Sequence, residues 1–183
     1  MTHDAPRHVA TIDIGTNSVL LLVAAVGSAR ALTPVRELAT ITRLGQDVDR
    51  TRTLQPEAVE RTLACLADYA GILSEYPGVR LDVVGTSAMR DAGGGAELCD
   101  RAERLLGVRP RTISGDEEAT LTFSGGLSGI DLSGPALVFD IGGGSTEFIR
   151  GDAPSRTITS ATSLDIGSVR LTERHLPSDP PSL

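Results

Sequence analysis

The short pattern Asp-Ile-Gly-x-x-Ser occurs twice in this chain, and it constrains the fold more than any other feature. The first copy lies in ATIDIGTNSVLLLVAAV, at residues 13–18, and the second in LVFDIGGGSTEFIRG, at residues 140–145. Apolar residues flank both copies, which predicts a buried strand, a tight turn and a second strand each time. A unit that is used twice indicates two related lobes with a cleft between them.

The rest of the chain alternates between strand and helix patterns, which predicts an α/β fold. Residues 54–76 form an amphipathic pattern with Pro56 in the first turn. One face of that helix carries the apolar residues Val59, Leu63, Leu66, Ala70 and Leu73. Further on, Ser114 and Glu117 have the spacing of a capping box, which predicts the start of another helix.

The loop SGIDLSGP is the expected boundary between the lobes. We expect residues 1–132 to form a complete N-terminal lobe and residues 133–183 to form the beginning of a second one. The second stretch is too short for an independent core of the same kind. Either the chain is truncated, or another chain completes the lobe, and the second explanation would be consistent with a homodimer.

The charge of the chain limits its partners. The formal net charge is -7, so we expect no nucleic-acid or membrane partner. The sequence contains arginine but no lysine, so any basic side chain that grips phosphate must be arginine. The polar N-terminus lacks the apolar core of a signal peptide, which predicts a cytoplasmic protein. Cys65 and Cys99 have no metal-like spacing, and we expect them to be buried free thiols.

Both glycine turns have the composition of an anion site. Successive backbone N–H groups in such a turn can form a nest for phosphate oxygens, and glycine leaves no side chain in the way. Candidate phosphate contacts are Gly15, Thr16, Asn17 and Ser18 in the first turn, and Gly142, Gly143, Gly144, Ser145 and Thr146 in the second. Asp13 and Asp140 each end a buried strand, where a divalent cation such as Mg²⁺ is one partner and a local Asx-turn is the alternative.

Two further stretches carry candidate functional side chains. Glu118 follows the capping residue Glu117, and its functional interpretation is a general base that positions water against phosphorus. The alternative is a simple helix-dipole role for the acidic first turn. Arg90 follows a buried strand, where it is a candidate phosphate clamp. A surface salt bridge with Asp91 or Glu97 explains Arg90 equally well.

Together these stretches resemble the exopolyphosphatase / guanosine pentaphosphate phosphohydrolase family, within the superfamily of actin, sugar kinases and chaperone ATPases. The matching motifs, in order, are TIDIGTNSVLLLV, VVGTSAMRDA, TISGDEEATLTFSG, VFDIGGGSTEFIRG and SLDIGSVRLTERHL. The resemblance implies two ribonuclease-H-like lobes with the active site in the cleft. It also implies Mg²⁺-dependent hydrolysis of a terminal phosphoanhydride in polyphosphate or guanosine pentaphosphate, with polyphosphate or guanosine penta- or tetraphosphate as the binding partner.

The resemblance also implies roles for individual residues. Glu118 is similar to the family's catalytic base and Glu147 to its acidic partner. Asp140, Glu147 and Asp13 are the implied metal-associated residues, while Asn17, Arg90, Ser145 and Ser168 are implied phosphate contacts. The chain has Leu20 where the family usually has a basic residue. Two other functions stay open: a phosphotransferase that uses ATP, and a non-catalytic binder of polyphosphate or alarmone nucleotides.

Overall fold

The structure, a computed structural model, describes residues 7–28 and 31–176 together with Ser178 and Pro180. The two lobes were expected to cover residues 1–183, so their outermost residues at both termini lie outside the described part of the chain. The strands are β1 Arg7–Ile14, β2 Ser18–Val26, β3 Leu32–Ile41, β4 Arg80–Gly85, β5 Arg111–Thr112, β6 Pro135–Ile141, β7 Thr146–Asp152 and β8 Thr157–Leu164. The helices are α1 Val48–Thr51, α2 Pro56–Leu73, α3 Ser87–Asp91, α4 Gly95–Leu106, α5 Gly115–Gly126 and α6 Ser168–His175.

The first sheet has the strand order β3-β2-β1-β4-β5. Strands β1, β2 and β3 are antiparallel neighbours, whereas β4 runs parallel to β1 and β5 parallel to β4. Alternate residues of β1 point to one face, so Ala10, Ile12 and Ile14 are buried there. The carboxyl ends of β1 and β4 therefore meet at one edge of the sheet, next to the turn between β1 and β2.

Helices α2 and α4 cover the apolar face of this sheet. The amphipathic pattern of residues 54–76 is confirmed, because α2 buries Leu63, Leu66 and Leu73 in the same core as β1 and β2. Cys65 and Cys99 are buried free thiols in that core, as predicted. This core makes the first lobe a rigid support for the loops at its strand ends.

The second sheet is antiparallel, with the order β6-β7-β8. Its core contains Phe123 and Ala119 of α5 packed against Ile149 of β7. Helix α5 therefore packs on the second sheet although it precedes residue 132. The boundary at residue 132 stays a prediction, but in the structure α5 packs into the core of the second sheet.

Two short elements follow β4 along the chain. Ser87–Asp91 form the short helix α3 directly after the strand. Strand β5 contains only Arg111 and Thr112, because only these residues pair with β4. The predicted cap of α5 is present, with the Glu117 amide donating to the Ser114 hydroxyl at 3.1 Å. Within the described residues no helix is long and apolar enough to cross a membrane.

Candidate active site

The two glycine turns have the same backbone geometry. In the first, the Gly15 amide donates to the Ser18 carbonyl at 3.0 Å. In the second, the Gly142 amide donates to the Ser145 carbonyl at 2.9 Å. The repeated sequence pattern therefore folds into two equivalent strand–turn–strand units, one in each sheet, as predicted.

The turns contact each other across the interface between the lobes. On the side of the first lobe, the Thr16 hydroxyl of the first turn and the Ser87 hydroxyl of α3 are 2.7 Å apart and form a buried hydrogen bond. A Cβ atom added at Gly143 would lie 3.1 Å from the Asn17 backbone nitrogen, and one added at Gly144 would lie 2.8 Å from the Ser87 hydroxyl oxygen. A side chain at either position would crowd these neighbours, because the second turn packs directly on the first turn and on α3.

A cleft of about 280 Å³ opens beside this contact. Most of the predicted site residues line it: Asp13, Gly15, Thr16, Asn17, Ser18, Glu118, Asp140, Gly142, Gly143, Ser145, Glu147 and Ser168. Three predicted residues, Arg90, Gly144 and Thr146, are absent from this lining. Residues that lie more than a hundred positions apart in the sequence therefore share one cavity.

Asp140 and Glu147 form one wall of the cleft. They face each other directly in the antiparallel register of β6 and β7, so their side chains lie on the same face of the sheet. Thr122 donates a hydrogen bond to Asp140 at 3.2 Å, and Ser163 donates one to the buried Glu147 at 2.7 Å. These hydroxyl groups fix the positions of both carboxylates.

Asp13 lies one residue before the end of β1 and also lines the cleft. Its Oδ1 atom is buried and has no hydrogen-bond partner among the residues that the structure describes. Burial, together with the nearby Glu118 and Asp140 carboxylates, raises the pKa of Asp13 to about 6. An unpartnered carboxylate oxygen in such a place is costly unless a cation or a proton joins it.

Glu118 enters the cleft from the first turn of α5. The Arg90 guanidinium donates to its carboxylate at 2.7 Å and also to the Ile113 carbonyl at 3.0 Å. Burial raises the pKa of Glu118, although the hydrogen bond from Arg90 opposes that shift. Arg90 thus forms its salt bridge with Glu118, and not with Asp91 or Glu97 as the alternative interpretation had it. This contact orients Glu118. The role of Arg90 as a phosphate clamp stays a prediction.

The cleft is acidic. Its lining contains four carboxylates and, among the described residues, no arginine or histidine. The described residues also contain no group of three or more His, Cys, Asp and Glu arranged to hold a metal by themselves. Mg²⁺ commonly takes only one or two protein carboxylates and completes its shell with water and phosphate oxygens. The Asp140–Glu147 pair, or Asp13 with its free oxygen, would supply the one or two carboxylates of such a site.

Sequence analysis missed the supporting residues of the site. Ser87 was not among the predicted site residues, but its hydroxyl forms a hydrogen bond with that of Thr16. Arg170 had no assigned role, yet it is buried and donates to the Gly144 carbonyl at 2.8 Å. The sequence offered one signal: Asp-Ile-Gly occurs a third time at residues 165–167, just before Arg170.

Fold and cleft together define an α/β protein with the actin-like ATPase fold and an acidic cleft between its two sheets. More distant solved structures, at 14% and 17% identity, share this fold with TM-scores of 0.54 and 0.56. The model of the Ppx/GppA phosphatase family matches residues 22–183. The chain belongs to this family, which confirms the resemblance and the fold class expected from it.

Three similar proteins illustrate the relationship. "Exopolyphosphatase 2" of Mycobacterium tuberculosis is 42% identical over 188 residues, which cover 98% of this chain and 58% of that protein. The crystal structure of an exopolyphosphatase-like protein has 46% identity and a TM-score of 0.88, with 96% of this chain and 56% of that chain covered. A Ppx/GppA family member from Aquifex aeolicus has 32% identity and a TM-score of 0.77, with coverage of 97% and 57%.

The chain thus spans little more than half the length of the relatives that it matches. Both glycine turns and all four cleft carboxylates lie within this chain.

Proposed function

We propose that the protein hydrolyses the terminal phosphoanhydride bond of inorganic polyphosphate. The observation that carries this proposal is the single cleft in which two glycine turns face four carboxylates. Turns of this kind bind phosphate oxygens through backbone N–H groups. The similarity to Exopolyphosphatase 2 of Mycobacterium tuberculosis supports the same substrate.

Glu118 is the proposed catalytic base. Burial raises the pKa of its carboxyl group, which makes the carboxylate a better proton acceptor than an exposed one. Arg90 fixes the carboxylate through its hydrogen bond at 2.7 Å. In this proposal Glu118 orients a water molecule for in-line attack on the terminal phosphorus, and the turn amides hold the phosphate oxygens.

Mg²⁺ is the proposed cofactor, with Asp140 and Glu147 as its first candidates and Asp13 beside them. When bound, the cation would neutralise negative charge on the terminal phosphoryl group. The acidity of the cleft supports this requirement: a polyanion meets four carboxylates there and no basic side chain among the described lining residues. Without a cation, like-charge repulsion would oppose substrate binding.

Guanosine pentaphosphate ends in a similar anhydride and is a second proposed substrate, since the same turns and carboxylates would meet it. Phosphate release should be measured from polyphosphate and from guanosine pentaphosphate, with Mg²⁺ and with EDTA. The proposal expects release that depends on Mg²⁺. Tight binding without release would instead support a non-catalytic binder, and transfer of the phosphoryl group from ATP to an acceptor would support a phosphotransferase.

A further inference from the structure

The second glycine turn is held from behind by α6. The amide of Ser168 donates to the Gly142 carbonyl at 2.9 Å, and the amide of Val169 donates to the Gly143 carbonyl at 2.9 Å. The next carbonyl, that of Gly144, accepts instead from the Nε of Arg170 at 2.8 Å. Three successive carbonyl groups of the turn therefore point towards α6.

These carbonyl contacts determine where the amides of the turn point. In a trans peptide the C=O and the following N–H lie in one plane and point in opposite directions. Each fixed carbonyl therefore directs the next N–H, in Gly143, Gly144 or Ser145, away from α6. Backbone amides fix the first two peptides, but the third, which carries the Ser145 amide, is fixed by a side chain.

The first turn provides a comparison. The Thr16 carbonyl accepts from the Gly45 amide at 2.8 Å, and the Asn17 carbonyl accepts from the Thr42 amide at 3.0 Å. Backbone groups therefore hold both of these carbonyls in the first lobe. Arg170 supplies in the second turn what the main chain supplies in the first.

The surroundings of Arg170 tie this contact to the first lobe. Arg170 is only 8% exposed. Its guanidinium donates hydrogen bonds to Asp49 of α1 at 2.5 Å and to Asp91 at 3.5 Å. A buried guanidinium needs such partners, and its rigid fork lets it hold several at once. One side chain thus joins the second turn to two elements of the first lobe.

We propose that Arg170 is a positioning residue: it fixes the Gly144–Ser145 peptide so that the Ser145 amide faces the bound phosphate, and it locks the second turn against the first lobe. This inference rests on the proposed phosphate site, and it adds a residue outside the cleft to that site. Lysine could not replace arginine fully, because an ammonium group lacks the planar fork that reaches Gly144 and Asp49 together.

Arg174 offers a matched control. It also binds Asp49, at 2.6 Å, but it is exposed and, within the described part of the chain, donates no hydrogen bond to the glycine turn. Arg170→Met, Arg170→Lys and Arg174→Met should be compared with wild type in tripolyphosphate binding by calorimetry. We expect the dissociation constant to rise about tenfold or more in Arg170→Met, which corresponds to about 1.4 kcal/mol. Arg170→Lys should fall between it and wild type, and Arg174→Met should stay within about threefold.

Amide hydrogen exchange tests the same inference without a substrate. The Gly142 amide reports on the second turn and the equivalent Gly15 amide on the first, since each donates within its own turn. Arg170→Met should accelerate exchange at Gly142 about tenfold relative to Gly15, whereas global destabilisation would change both alike. Equal changes at the two amides, or equal effects of Arg170→Met and Arg174→Met, would overturn the inference. If wild type bound no tripolyphosphate, the proposed function would fail, and the exchange ratio would still decide the role of Arg170.

Discussion

Asp140 and Glu147 lie directly opposite each other in the β6–β7 hairpin, although the glycine turn separates them in the sequence. The register of the hairpin places both carboxylates on the face that borders the cleft. Like charges directly opposite each other destabilise a sheet unless something compensates them. The pair therefore lowers the stability of the folded protein. A bound cation would offset this cost.

Glu118→Gln should lower the rate of polyphosphate hydrolysis by about 10²- to 10⁴-fold, because glutamine cannot accept a proton from the attacking water. The measurement is phosphate release with saturating Mg²⁺. Glu117→Gln is the matched control, since Glu117 is the adjacent acid but contacts Arg111 rather than Arg90. Activity of Glu118→Gln close to that of wild type would show that another group positions the water.

Asp13→Asn should stabilise the metal-free protein at pH 8. The pKa of Asp13 is raised from 3.8 to about 6, so the folded state favours the protonated form. The stability linked to that proton is complete below about pH 4 and is lost as pH rises through about 6. Asparagine carries no charge, so the variant avoids this loss. Its free energy of unfolding should exceed that of wild type by up to about 3 kcal/mol at high pH.

Urea unfolding in EDTA at pH values from 4 to 8 checks this expectation. The difference between Asp13→Asn and wild type should grow as pH rises through the titration of Asp13. Asp131→Asn, at an exposed position, should show no comparable trend. A constant difference across this range would contradict the pKa assignment.

Leu20→Arg should strengthen polyphosphate binding. Leu20 is 44% exposed and lines the acidic cleft, so an arginine there would add a basic group within reach of a bound phosphate. We expect the dissociation constant for tripolyphosphate to fall about two- to fivefold, as for an exposed ion pair. The gain should shrink at high salt.

Leu32→Arg adds the same charge at the far end of the first sheet. Leu32 is also exposed, and it does not line the cleft. The Leu32→Arg variant should bind tripolyphosphate with a dissociation constant close to that of wild type. Equal gains from both substitutions would indicate a general charge effect rather than a contact at the cleft.

Gly167→Ala should destabilise the protein, whereas Gly71→Ala should stabilise it. A Cβ atom at Gly167 would lie 2.3 Å from the Gly143 carbonyl oxygen, and backbone cannot move aside cheaply there. We expect a loss of about 2–3 kcal/mol. At Gly71, within α2, a Cβ atom would meet nothing within 4 Å, so alanine should add about 0.5–1 kcal/mol.

Thermal unfolding of both variants tests the pair. Tripolyphosphate binding should also weaken in Gly167→Ala, because the clash displaces the second turn, but not in Gly71→Ala. If the unfolding temperature of Gly167→Ala equalled that of wild type, Gly167 would not pack closely against the second turn.

The sequence predicted the parts of this protein whose causes are local. Glycine turns between apolar strands, an amphipathic α2 and the Ser114 cap each depend on residues that are close together in the chain. The duplicated Asp-Ile-Gly pattern was also enough to predict that two turns would face one cleft. The candidate residues of that cleft were largely found because they belong to these local motifs.

Other features depended on contacts that no local pattern encodes. The interpretation of Arg90 stayed open because its partner, Glu118, comes from a helix that packs on the other sheet. Ser87 and Arg170 are ordinary residues in their own segments, and their roles appear only where α3 and α6 meet the glycine turns.

The sequence by itself thus determined the two turns, the acids beside them and the family to which the chain belongs. Only the tertiary structure decided how the turns meet, because their separation depends on glycines that leave room for close packing and on a buried arginine that joins the lobes. Local conformational preference sets the shape of each turn, whereas burial and long-range hydrogen bonding set the distance and direction between them.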